Sequence, residues 1–142
     1  VSEQISEFEG LRCLKVTFDS ATEQWLFHFD GSFCLQVSSP WRVIEAGAIK
    51  LGWKDHGQQF GLPSPIDGME TATRLLGRLP VEAAFASAET ADLSIAFGPS
   101  SRLEIFNDSA GYEGWILNGP SGEYIVAQGG GRLVRRGRQG TG

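Results

Sequence analysis

Histidine and cysteine, on which many active sites and metal centres draw, are scarce here: the 142-residue chain has two of each. Cys13 and Cys34 set no disulfide framework for a domain this large. They read as reduced strand thiols and place the protein in the cytoplasm. Zinc ligands usually come at close spacing, and neither His28 nor His56 has such neighbours. Asp19, Asp30, Asp55 and Asp67 lack the regular spacing of a calcium loop. No run approaches the roughly 20 apolar residues that cross a bilayer. The opening Val1–Gly10 lacks the basic start and apolar core of a secretion signal. No metal, cofactor or membrane is therefore expected.

Positive charge is also thin over most of the chain. Residues 1–131 carry 8 basic and 17 acidic side chains, a net of −9. Arg132, Arg135, Arg136 and Arg138 bring the whole to −5, leaving a basic tail over 132–142. An acidic body without a concentrated basic patch argues against nucleic acid as a partner, because phosphates need clustered cations.

What the chain does have is apolar and glycine-rich: 41% hydrophobic residues, nine Phe, four Trp and nineteen Gly. That is enough to bury the core of one domain spanning residues 1–142. Leu14, Val16 and Phe18 alternate with polar residues, the period of a half-buried strand. Trp25, Phe27 and Phe29 continue the pattern, Asp30-Gly31 supplies a tight reversal, and Phe33, Leu35 and Val37 resume it. Pro40 breaks the run. An irregular hairpin around Gly47 follows, and then a polar surface connection over 54–68.

Asp67 opens the one clear helix, with Glu70 three residues on as in a capping box and Met69, Ala72, Leu76 and Leu79 at helical spacing. Gly77 or Pro80 ends it. Beyond the helix the opening pattern returns in Val81, Ala83 and Phe85, then Leu93, Ile95 and Phe97, then Leu103 and Ile105. The expectation is a mainly β (α+β) fold: two antiparallel three-strand units, at 13–37 and 80–105, related by internal duplication, with one short helix. Additional C-terminal strands are expected over Tyr112–Leu117, Tyr124–Ala127 and Leu133–Val134.

Candidate chemistry is sparse. His28 and Asp30 share a strand face, and Cys34 lies across the hairpin, so a small hydrolase or small-ligand site built on these three is the alternative function. No helix terminus is placed to lower the thiol pKa. Gly129-Gly130-Gly131-Arg132 has strand-like flanks, and reads as a β-turn rather than a phosphate loop. The favoured function is non-catalytic binding of another protein, basic in character. Trp41, Trp53 and Tyr112, beside Pro, Gly or acidic residues, are the candidate aromatic anchors. Asp55 and Glu113 are the adjoining acids that would steer a basic partner.

The segment Tyr112-Glu113-Gly114-Trp115-Ile116-Leu117-Asn118-Gly119-Pro120-Ser121-Gly122, followed by Gly129-Gly130-Gly131, resembles the ending of a family of small, poorly characterised bacterial β-rich proteins. Leu76-Gly77-Arg78-Leu79-Pro80-Val81 is similar to the phrase that opens that family's strand units, and Gln128 stands where the family has proline. The resemblance covers about residues 9–134. It implies a role like that of immunity-type factors, which protect bacteria from toxins, and supplies no catalytic residues.

Overall fold

Both alternating stretches fold as three-strand antiparallel meanders, and they lie in different sheets. A computed structural model describes residues 2–137. Its strands are β1 (Ser2–Gln4), β2 (Cys13–Asp19), β3 (Gln24–Phe29), β4 (Cys34–Val37), β5 (Trp41–Glu45) and β6 (Ala48–Gly52). After the helix α1 (Gly68–Leu76) come β7 (Ala83–Ser87), β8 (Leu93–Phe97), β9 (Ser101–Ile105), β10 (Trp115–Asn118), β11 (Tyr124–Ala127) and β12 (Leu133–Arg136). One six-stranded sheet runs β1-β7-β8-β9-β5-β6 and the other β12-β11-β10-β4-β3-β2.

The strand order contains an exchange. The hairpin β5–β6 follows β4 in sequence but pairs with β9 of the other sheet, whereas β10–β11 follows β9 and pairs with β4. Each meander is thus extended by the hairpin that follows the other. After β2 the chain crosses between sheets twice, over 38–40 and 106–114. The two crossings bind each other: the Ser38 N–H and Ser39 Oγ donate to the Gly114 carbonyl, and the Phe106 N–H donates to that of Pro40.

The inner faces of the sheets meet in one core. Trp25 and Phe27 of β3 meet Trp41 of β5 edge to face, and Phe29 stacks on Phe97 of β8. Helix α1 lies against the β2 edge and buries Ala72, Leu75 and Leu76. Its Thr73 Oγ1 accepts the N–H of Val16, filling a ladder position that no strand occupies. Asp67 caps the amide of Glu70 as expected. His56 Nδ1 accepts a second free amide, that of Gly68 at 2.9 Å. The connection over 54–68 is irregular and mostly exposed, as expected, and it carries the exposed Phe60 and Leu62.

Several inward assignments are corrected. A bulge makes Leu14 the extra residue of β2, 57% exposed, while Cys13 and Val16 face the core. In β7 the core residues are Ala84 and Ala86, not Ala83 and Phe85. They pair directly with Ile95 and Leu93, whose side chains face inward, and cross-strand partners share a face. Leu79 lies beyond the helix and is exposed. The strand expected over Tyr112–Leu117 begins only at Trp115. Within the basic tail, Leu133–Arg136 is an edge strand, and Arg135 forms an ion pair with Glu3. Arg138 lies outside the described residues.

Candidate functional site

A cleft of about 740 Å³ opens where the two crossings meet. Its walls come from four segments remote in sequence: Thr22–Gln24 at the β2–β3 turn and the start of β3, Ser38–Ser39, Trp53–Lys54 just after β6, and Asp108–Gly114 in the second crossing. Phe18 and Trp25, rings 4.9 Å apart, form an aromatic part of the lining, and Trp25 packs in turn on Trp41 and His56.

The second crossing is fixed from behind. Asn107 Nδ2 donates to the carbonyls of Thr90 and Gln128, and its own N–H donates to Asp92. Gly114 must lack a side chain, because a Cβ there would collide with Asn107 Oδ1 and crowd Ser39 Oγ. Gly129 similarly lies against the backbone of Gly111. The Gly130 N–H donates to Ser109, and Gly114 to Ala127. The glycine run is thus the β11–β12 turn, and it buttresses the loop that carries Tyr112 and Glu113. Ser109 Oγ accepts the N–H groups of Gly111 and Tyr112, tightening the same loop.

Three of the five proposed binding residues converge here. Tyr112 is 84% exposed and Trp53 38%, and both line the cleft together with Glu113. Trp41 does not reach it: at 1% exposure it is a core residue, because its cross-strand partner Ile105 faces inward. Asp55 also has another task, accepting the Gly52 N–H at 2.7 Å to close the turn after β6. Sequence reasoning missed Glu23, Asp108 and Lys54. Lys54 had a visible signal in its adjacency to Trp53, whereas Glu23 and Asp108 join the site only through the fold. The cleft therefore carries three exposed carboxylates (Glu23, Asp108 and Glu113) and one ammonium.

The alternative site does not assemble as a relay. His28 and Cys34 are cross-strand partners on the outer face, but His28 Nε2 is bonded to Thr17 Oγ1 at 3.0 Å. Asp30 Oδ1 accepts the backbone N–H of Arg12. Burial pushes the Cys34 thiol up, away from the thiolate a nucleophile requires. Both cysteines are free. Among the described residues no cluster of His, Cys, Asp and Glu is placed to hold a metal ion, and no helix is long and apolar enough to cross a membrane.

Comparison with family models, curated proteins and solved structures finds no match for this chain.

Proposed function

We propose that this protein is a non-catalytic binding factor whose contact surface for another protein is the cleft between the crossings. The observation that carries this reading is Tyr112: a tyrosine 84% exposed beside a half-exposed tryptophan, on a loop anchored from several sides. Large aromatics lose little rotamer freedom when they dock, and a pre-ordered loop lowers the entropic cost of binding.

The sheet edges offer less. Lys50 is the extra residue of a bulge in β6, and helix α1 lies against β2. β1 has only three residues, and β12 carries Arg135 and Arg136. Bulges, edge cations and short strands all discourage a partner from adding a strand. The resemblance of the Tyr112–Gly131 segment to the ending of a bacterial family with immunity-type members suggests a toxin as the class of partner.

The test is affinity capture from the native cell with wild type and with Tyr112→Ala and Trp53→Ala, followed by binding kinetics on the protein recovered. Loss of about 2 kcal/mol or more at one of these anchors is the expected result. A partner that binds both folded variants as tightly as wild type would overturn the reading.

A further inference from the structure

Resting on that reading, we infer that the cleft receives an arginine side chain of the partner, which takes the place of Lys54 on the face of Trp53. Lys54 Nζ lies 4.9 Å from the centroid of the Trp53 ring. The indole face is therefore already a cation site, occupied from within the chain by the next residue. Indole is the strongest of the aromatic faces for a cation, and guanidinium is the cation most often found there.

Charge favours replacement over addition. Glu23, Asp108 and Glu113 line the cleft with no ion pair among the described residues, against Lys54 alone. A recess with one sign of charge and low-dielectric walls concentrates its field on an entering ion. An arginine satisfies this surface better than the resident lysine, because its planar fork stacks on a ring while donating to carboxylates at its edge. Tyr112 offers a second ring beside the same recess. Lys54 is exposed and joined to Trp53 only through the backbone and a flexible stem, so it can swing out to solvent.

This arrangement has a consequence that general acidity does not: removing a positive charge at Lys54 should strengthen binding more than removing one elsewhere. The probe is the peptide acetyl-Gly-Ser-Arg-Ser-Gly-amide, with citrulline in place of arginine as the neutral counterpart, titrated into the ¹⁵N-labelled chain. The arginine peptide should shift the Trp53 indole N–H and the Tyr112 amide, and the citrulline peptide should leave both in place. Lys54→Met should tighten the arginine peptide about threefold, the release of one exposed cation–π contact. Lys50→Met, which removes a charge outside the cleft, should leave the affinity unchanged.

Equal binding of the citrulline peptide, equal tightening by Lys50→Met, or no gain from Lys54→Met would overturn the inference. So would absence of binding by the arginine peptide. If the inference fails while Tyr112→Ala still abolishes capture of the partner, only the arginine assignment falls and the protein-binding reading stands.

Discussion

Trp25 and Trp41 meet edge to face across the two sheets, with ring centroids 5.0 Å apart and planes at 79°. One ring lines the cleft and the other lies wholly in the core, so the recess is built directly on the packing that joins the sheets.

That contact separates stability from binding. Among the described residues Trp41 Nε1 is buried without a hydrogen-bond partner, a situation that costs about 1–3 kcal/mol. Trp41→Phe deletes the N–H and keeps a ring against Trp25 and Phe27. It should cost less than half of the roughly 3–5 kcal/mol expected for Trp41→Ala. Urea denaturation of both variants checks this; equal losses would mean that the N–H is not a liability.

Gly114→Ala should destabilise by about 2 kcal/mol or more, the upper range for forcing extra volume into a packed site. Asn107 cannot swing aside without losing its bonds to the carbonyls of Thr90 and Gln128. The same substitution should weaken partner binding, because this crossing carries Tyr112 and Glu113. A variant as stable as wild type in denaturant would refute the close fit.

Burial pushes the Cys13 thiol up to about 12 from an ordinary value of 9.0. A thiol whose pKa is raised by folding binds its proton more tightly in the native state. Its contribution is complete below pH 9 and is lost as the pH rises toward 12, with a slope of up to about 1.4 kcal/mol per pH unit. Stability measured between pH 8 and 11 should fall less steeply in Cys13→Ala than in wild type. Parallel curves would show that the thiol ionises equally in both states.

Thiol labelling at neutral pH gives a related check. Cys34, half-buried with its pKa raised, should react more slowly than a free thiol, and Cys13 more slowly still. His28→Ala should leave the Cys34 rate unchanged. A large drop in that rate would revive His28 as a base for the thiol.

Once the partner is in hand, Glu23→Gln and Glu113→Gln should mainly slow association, and the effect should shrink as salt is added. Tyr112→Ala should mainly speed dissociation. Surface plasmon resonance at two ionic strengths separates these outcomes, and a salt-independent effect at both glutamates would remove steering from the account.

Alternating apolar residues were enough by themselves to place most strands, and Asp67 with Glu70 marked the helix start, because these signals arise between residues close in the chain. The glycine-rich ending was also visible, although its purpose, letting the turn at 129–131 lie against the loop at 109–114, was not. Only the tertiary structure decided which face of a strand is the inner one. Period two divides residues between two faces without naming the core, so Phe85 yielded to Ala84 and Ala86 through the register with β8, and a bulge turned Leu14 outward. The same long-range pairing drew Trp41 inward opposite Ile105 despite its neighbour Pro40. The cleft lay further still from anything local. Glu23, Trp53, Asp108 and Tyr112 become neighbours because two hairpins exchange sheets, and an exchange of that kind is fixed by how two apolar faces bury each other, not by the residues next along the chain.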